Sequence, residues 1–175
     1  MADPGVDVYL SMGSNLGDRC AFLRRGLKLL ETPDSSVVAC SSRFETQPVG
    51  LDGPPFVNLA CCVRTRLTAV EFHRLCRSIE ERSGRRQSEV VESRTLDIDI
   101  LFFGDLVLQS GELTIPHPRL GERNFVLIPL AEIAPDLKHP SSGLTVRQLR
   151  QDCTDPNWVE RMDRGAPSSS QHPRQ

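Results

Sequence analysis

The sequence lacks the features that direct a chain to a membrane or out of the cell. No apolar run approaches the roughly 20 residues that a membrane-spanning helix needs. The N-terminal stretch "MADPGVDVYLSMGSNLGD" has no basic segment followed by an apolar one, as a signal peptide would. We therefore expect a cytoplasmic protein with no membrane partner.

A surplus of one charge sign is also missing, and Trp and Tyr are scarce. The chain carries 21 basic and 23 acidic residues, a net charge of −2, and has one Trp and one Tyr. A nucleic-acid-binding sheet needs a basic face with exposed aromatic side chains. We therefore expect no nucleic-acid partner. With 175 residues the chain is sized for one domain with a hydrophobic core.

The cysteines lack the spacing of a metal site or a redox motif. There is no Cys-x-x-Cys pair and no regular Cys/His spacing among Cys20, Cys40, Cys61, Cys62, Cys76 and Cys153. Since no export signal is present, reduced thiols packed as small core residues are the preferred interpretation over zinc ligands or disulfides.

Four strands are predicted from the alternation of apolar and polar residues. They lie at residues 6–12, 36–44 and 56–65 and within the stretch "SRTLDIDILFFGD", residues 93–105. Gly- and Pro-rich segments such as "ETQPVGLDGPP" separate some of them.

Two helices are predicted between these strands. The first covers "GDRCAFLRRGLKLLETP" and ends at Pro33. The second begins at Thr68, which can form a capping box with Glu71, and ends at Gly84. The order β-α-β-β-α-β is that of the ferredoxin-like antiparallel sheet, so we expect an α+β fold of this type.

A C-terminal extension follows the predicted sheet. It contains a Pro-punctuated loop and ends in a short helix with Thr145 as its cap. We expect a single domain over residues 1–160 and a disordered tail over residues 161–175.

The last predicted strand carries two aspartates among apolar residues. Alternation places Asp97 and Asp99 together on one face, with their Cα atoms roughly 6.5–7 Å apart. Two like charges so close repel unless a cation lies between them, and a few oxygen ligands suit Mg²⁺ shared with phosphate. The alternative is a solvated strand face whose aspartates pair with arginines such as Arg94. The opposite, core-facing set is Leu96, Ile98, Ile100 and Phe102.

Five blocks of the chain occur in a specific order. They are "YLSMGSNLGDR", "FETQPVG", "FVNLA", "SRTLDIDILFFGD" and "LTIPHPRLGERNFVLIPLAEIAP". This pattern resembles that of the 6-hydroxymethyl-7,8-dihydropterin pyrophosphokinase family of folate biosynthesis, over roughly residues 6 to 150. The resemblance implies transfer of pyrophosphate from ATP to the hydroxymethyl group of the dihydropterin, with release of AMP.

The resemblance also implies a role for individual residues. Asp97 and Asp99 would hold two Mg²⁺ ions that bridge the ATP phosphates. The implied catalytic set is Asp97, Asp99, Arg94, His117 and Arg123. The implied pterin-binding set is Thr46, Pro48, Val49, Phe56, Asn58 and Phe125. The implied ATP-binding set is Glu80, Arg85, Arg86, Arg94, Ile100, Thr114, His117 and Arg123.

The residue types suit these ligands, although each also has a plain structural interpretation. An Asn amide can pair with the amide edge of a pterin, and Phe can stack on its ring. Phe56 and Phe125 could equally be core residues, and His117, in "PHP", could be a turn residue. Asn58 stands among apolar strand residues, where its polar groups need partners.

One loop departs from the family pattern. Many members carry a further Arg and then a Trp just before the block "RTLD", at about the positions where this chain has Val90 and Val91, respectively. Arg82 and Arg119 are candidates to supply the missing charge. The alternative function is therefore a pterin- or nucleotide-binding module with impaired catalysis.

We expect a monomer, because no spare apolar stripe is evident.

Overall fold

The computed structural model describes residues 4–50, 52–84 and 95–162. Over these ranges the chain forms eight β-strands and four α-helices. The strands are β1 (Val6–Ser14), β2 (Ser35–Cys40), β3 (Phe44–Thr46), β4 (Phe56–Thr65), β5 (Asp97–Phe103), β6 (Leu108–Gln109), β7 (Thr114–Ile115) and β8 (Val159–Arg161). The helices are α1 (Arg19–Leu30), α2 (Ala69–Arg82), α3 (Asn124–Ile133) and α4 (Val146–Asp152).

Six of these strands form one antiparallel sheet. Its order is β5-β1-β4-β3-β8. Strand β2 also pairs with β4, along the same side of β4 as β3 does. The two longest strands, β1 and β4, lie at the centre, while β6 and β7 form a separate two-stranded ribbon. The predicted α+β class and antiparallel sheet are confirmed.

The predicted strand at residues 36–44 is two strands. The chain leaves the ladder after Cys40, and the Ser41 hydroxyl accepts the Ala60 backbone N–H at 2.9 Å, which keeps that donor satisfied across the break. Pairing with β4 resumes at Phe44. A side chain thus replaces one backbone acceptor, which the alternation of apolar residues does not reveal.

The helix ends follow the capping signals in the sequence. Thr68 and Glu71 form the predicted capping box at the start of α2, and Gly84 takes the left-handed conformation, with φ of 94°, just after its end. The Thr145 hydroxyl likewise accepts the backbone N–H of Gln148 at the start of α4. These predicted ends are confirmed.

Helices cover both faces of the sheet. α1 and α2 pack on one face around Leu10, Leu23 and Phe72, all nearly inaccessible to solvent. On this face a Cβ at Gly26 would come within 2.6 Å of the Met12 side chain, so glycine lets α1 approach the sheet closely. α3 and α4 pack on the opposite face, around Leu127 and other residues.

A β-bulge in β5 changes the face of one predicted core residue. Tyr9 pairs with Phe102 and Leu10 pairs with Ile100, so Leu101 is an extra residue in the ladder. Phe103, not Phe102, therefore rejoins the face of Ile100, and Phe102 packs toward α3. The prediction that Phe102 shares a face with Ile100 is wrong for this reason.

The structure also bears on the predictions about the cysteines, membrane-spanning helices and the C-terminal tail. All six cysteines are free thiols. No helix among the described residues is long and apolar enough to cross a bilayer. β8 includes Arg161, so ordered chain continues past residue 160, and the remainder of the predicted tail, residues 163–175, lies outside the described residues.

Candidate active site

The register of three strands lines up the residues that the sequence singled out. Asp97 on β5 lies opposite Gly13 on β1, and Gly13 lies opposite Asn58 on β4. Asp99 lies opposite Ser11 in the neighbouring row. Since directly opposed side chains share a face, these groups project together from the face of the sheet that α1 and α2 leave uncovered. We call this the site face.

A cavity of about 520 Å³ opens over the site face. Nine of the predicted residues line it: Thr46, Val49, Phe56, Asn58, Asp97, Asp99, His117, Arg123 and Phe125. The structure therefore brings together the predicted metal ligands, most of the predicted pterin pocket and two predicted phosphate contacts. Strand β5, the loop before α3, and the segment after β3 each contribute one wall.

Asn58 is held in one orientation by its neighbour across the sheet. Its Nδ2 donates to the Thr46 Oγ1 at 2.7 Å, and both side chains are buried. The Asn58 Oδ1 lies toward Gly13, where a Cβ would overlap it. A glycine is thus required for the amide to face the cavity beside the aspartates. A fixed amide is suited to the polar edge of a flat heterocycle.

His117 is oriented by backbone groups on both sides. Its backbone N–H donates to the Leu101 carbonyl at 3.0 Å, and its Nδ1 accepts the backbone N–H of Arg119 at 3.2 Å. A neutral ring with Nδ1 as acceptor carries its proton on Nε2. Burial, helped by the positive charges of Arg123 and Arg119, lowers the pKa of His117 below its ordinary value. The neutral ring therefore offers Nε2–H as a donor.

Arg123 stands at the residue before α3 and faces the same cavity. Its guanidinium carbon lies 5.5 Å from the centroid of the Phe125 ring, a cation–π contact. Its Nε is buried and has no hydrogen-bond acceptor among the described residues. Burial and the nearby Arg119 lower the pKa of Arg123, but a guanidinium stays charged in proteins. A buried donor on a cation suits an anionic ligand such as phosphate.

The donor set beside these cations fits magnesium. Asp97 and Asp99 are half-buried on the cavity wall. Over residues 4–50, 52–84 and 95–162 no group of three or more His, Cys, Asp or Glu side chains is placed so that it could hold a metal ion. Two carboxylates suit a hard cation that completes its shell with water and phosphate oxygens, and do not suit a closed zinc site.

Four predicted site residues do not line this cavity. The Glu80 carboxylate lies on α2, where its Oε1 accepts the Ile98 backbone N–H at 2.8 Å, and its side chain is almost fully buried. This hydrogen bond holds β5 at Ile98, the residue between Asp97 and Asp99. Ile100 packs in the α1–α2 core and Thr114 lies on β7. Pro48 lies in the segment after β3, between the lining residues Gln47 and Val49. Arg85, Arg86 and Arg94, together with Val90 and Val91, lie outside the described residues.

Sequence reasoning missed several residues of the cavity wall. These are Ser11, Gly13, Gln47 and Gly50. Arg119, which the sequence suggests only as a source of compensating charge, also lines the wall. A signal was available for two of them. In β1 the residues Ser11 and Gly13 alternate with apolar core residues, so a small or polar set occupies the face that Asp97 and Asp99 also use.

Known proteins share much of this sequence. The family model described as 7,8-dihydro-6-hydroxymethylpterin-pyrophosphokinase matches residues 9–135. A 2-amino-4-hydroxy-6-hydroxymethyldihydropteridine pyrophosphokinase of Methylorubrum extorquens is 40% identical over 157 residues, covering 89% of this chain and 98% of the relative. The protein of that name from Porphyromonas gingivalis is 39% identical over 140 residues, covering 77% and 95%.

Other relatives are longer proteins. The folic acid synthesis protein fol1 of Schizosaccharomyces pombe is 40% identical over 134 residues, which are 75% of this chain and 18% of the relative. The corresponding protein of Pneumocystis carinii is covered to 19%. The chain thus spans about a fifth of the length of these two fungal relatives.

Solved structures share the fold. An HPPK-DHPS protein in complex with substrates superposes with a TM-score of 0.70 at 16% identity, covering 85% of this chain and 43% of that one. Wild-type HPPK-DHPS of Plasmodium falciparum gives a TM-score of 0.67 at 18% identity, covering 83% and 43%. The family match over residues 9–135 confirms the resemblance of the five sequence blocks, and the chain belongs to the 7,8-dihydro-6-hydroxymethylpterin-pyrophosphokinase family.

Proposed function

We propose that this chain transfers the pyrophosphoryl group of ATP to the hydroxymethyl group of 6-hydroxymethyl-7,8-dihydropterin. The hydroxymethyl oxygen bonds to the β-phosphorus, and the bond from that phosphorus to the oxygen bridging the α-phosphorus breaks. The products are dihydropterin diphosphate, AMP and one proton. One observation carries the proposal: a single cavity joins the Asp97 and Asp99 pair to the amide of Asn58 and the ring of Phe125.

The pterin end of the cavity is built for a flat polar ring. Asn58 would pair with the amide edge of the pterin, because Thr46 fixes the orientation of its side chain. Phe56 and Phe125 would hold the ring between their faces. Val49 and the backbone around Pro48 would close the pocket from the loop after β3.

The phosphate end contains the cations and hydrogen-bond donors. Arg123 would bind phosphate oxygens with its planar fork, using the buried Nε that lacks an acceptor among the described residues. His117 would donate from Nε2, and Arg119 would add positive charge at the same wall. Stabilisation of this kind is the main requirement of phosphoryl-type transfer, which needs no covalent nucleophile.

Asp97 and Asp99 would hold two Mg²⁺ ions. When bound, magnesium neutralises phosphate charge and helps to orient the attacking hydroxyl. The aspartates themselves contribute position, since the register with Ser11 and Gly13 fixes them at one wall of the cavity. Glu80, which holds β5 from the other side, would set the spacing of the pair.

We also propose a finer description of the fold and setting. The strand order β5-β1-β4 with β2 and β3 on the far side supports a ferredoxin-like arrangement, in which β6 to β8 with α3 and α4 would form a family-specific extension. The single domain, the cytoplasmic location and the monomeric state stay predictions. The predicted roles of Arg85, Arg86 and Arg94 stay predictions as well.

The decisive experiment is an AMP-release assay with the purified chain, ATP, Mg²⁺ and the dihydropterin. We expect AMP and dihydropterin diphosphate in equal amounts, and no AMP above background without the pterin. ATP binding with no transfer would instead support the impaired binding module suggested by Val90 and Val91. Failure to bind either ligand would contradict both functions.

A further inference from the structure

Asp155 lies between α4 and β8 and reaches back to the start of α3. Its Oδ2 accepts the backbone N–H of Asn124 at 2.9 Å, and its own carbonyl accepts from the Asn124 Nδ2 at 2.9 Å. The N-cap residue of α3, Arg123, makes no capping hydrogen bond with its side chain. The first N–H groups of a helix need acceptors, and a carboxylate at that end also interacts favourably with the helix dipole. A residue far along the chain therefore provides the missing cap.

The same short segment also holds the opposite wall of the cavity. The Asp155 Oδ1 accepts the backbone N–H of Asn157 at 3.0 Å, which forms an Asx turn that leads the chain into β8. The backbone N–H of Gln47 then donates to the Trp158 carbonyl at 3.1 Å. In the adjoining ladder Val159 pairs with Thr46.

The carboxyl group of Asp155 is suited to this task at neutral pH. Burial raises the pKa of the Asp155 carboxyl, but hydrogen bonds from Asn157 and Asn124 and the charge of Arg123 outweigh it and lower that pKa below its ordinary value. The ionised form therefore accepts from both asparagines at once.

We propose that Asp155 is a positioning residue for the transfer reaction, holding the first turn of α3 so that Arg123 and Phe125 face the cavity. Asn124 donates to Asp155 from both its backbone N–H and its side-chain amide. In the sequence it lies directly between the two cavity residues Arg123 and Phe125. Because one belongs to the phosphate end and the other to the pterin end, the position of a single turn sets both. Through β8, residues 155–161 also fix the distance from this turn to Thr46.

This inference rests on the proposed function, and steady-state kinetics of the full chain test it. Asp155→Ala removes the acceptor, while Asp155→Asn keeps one oxygen and loses the charge. The matched control is Asp136→Ala, which removes an exposed carboxylate paired with Arg147 at 3.1 Å in the same C-terminal part of the chain. Folded fraction is followed by circular dichroism at the assay temperature, and exchange of the Asn124 amide by NMR.

We expect kcat/KM for the dihydropterin to fall about ten- to a hundredfold in Asp155→Ala, with raised KM for both substrates, because small displacements of reacting groups are costly. Asp155→Asn should lose less, Asp136→Ala should stay within about twofold, and the Asn124 amide should exchange faster in both Asp155 variants. If Asp155→Ala does not fold, Asp155→Asn alone decides.

Three other outcomes overturn the inference. Wild-type kinetics in the folded Asp155 variants would show that the cap does not position the site, while the proposed function stands. A loss of apparent kcat in proportion to unfolded protein, with KM unchanged, would show a structural role only. An inactive wild-type chain would contradict the proposed function, and this inference would fall with it.

Discussion

The amide of Asn58 and the hydroxyl of Thr46 form a buried hydrogen bond of 2.7 Å between β4 and β3. Both groups belong to the cavity wall, so this contact links β3 to the proposed pterin site. Removing one partner of a buried pair leaves the other unsatisfied, which costs about 1–3 kcal/mol. The effect should therefore appear in substrate binding as well as in stability.

The Thr46→Val variant tests this contact. We expect KM for the dihydropterin to rise about tenfold, since the unpaired Asn58 amide is free to turn, while KM for ATP changes little. The matched control is Thr65→Val, which breaks a buried hydroxyl pair with Ser35 at 2.6 Å away from the cavity. That variant should lose stability and keep both KM values. Equal KM effects in the two variants would contradict a specific role for Thr46.

A glycine between the aspartates and Asn58 gives a steric prediction. In Gly13→Ala the added Cβ would overlap the Asn58 Oδ1, so the amide must move. We expect KM for the dihydropterin to rise about tenfold or more, as small misplacements in a site have large effects. Gly111→Ala, where a Cβ would meet nothing within 4 Å, is the control and should behave as wild type. Binding is measured by titration calorimetry.

The aspartate pair gives a prediction about metal dependence. Asp97→Asn keeps the shape of the side chain and removes its charge on a half-buried site face, so the fold should persist. We expect kcat to fall by a factor on the order of a hundred or more, because preorganised charge stabilisation is lost, and the Mg²⁺ concentration for half-maximal rate to rise. The control, Asp105→Asn, changes an exposed carboxylate just after β5. Wild-type turnover by Asp97→Asn would refute the metal role.

His117 gives a prediction about pH. Burial, with Arg123 and Arg119 adding repulsion against a weaker attraction from Asp97, lowers its pKa below the ordinary 6.5. The His117 ring of the unfolded chain then binds a proton more readily than that of the native chain. Its contribution to the free energy of unfolding is therefore fully present above about pH 6.5 and decreases as the pH falls below that value. Thermal melts between pH 7.5 and pH 5 should show a smaller decrease in Tm for His117→Gln than for the wild-type chain. Parallel curves would contradict the neutral state of this half-buried ring.

The local sequence predicted much of the fold correctly. Helix starts were predictable because capping is a matter of neighbouring residues, as in the Thr68 and Glu71 pair. Strand β4 was predicted with its observed ends, since its apolar run has clear limits. The break at Ser41 and the bulge at Leu101 were not predictable, because each depends on the partner strand.

The candidate site was predictable to the extent that residue type shows function. Asp97, Asp99 and Asn58 stand out in the sequence because polar groups on apolar strands need partners, whereas Arg123 is predicted only by the family resemblance. Glu80 is likewise predicted by the resemblance alone, and in the structure its partner is the backbone of β5 and it lies away from the cavity. A polar residue in a core signals that a partner exists, without saying whether the partner is a ligand or the chain itself.

The sequence by itself determined the family, the chemical groups at the site and the faces of most helices and strands, because these depend on residue identity and local periodicity. Tertiary structure alone decided that Asp97, Gly13 and Asn58 form one row and that Asp155 caps α3. Register between strands and contacts across 31 residues or more are fixed by the packing of the whole core and the closure of the loops, which no local pattern contains.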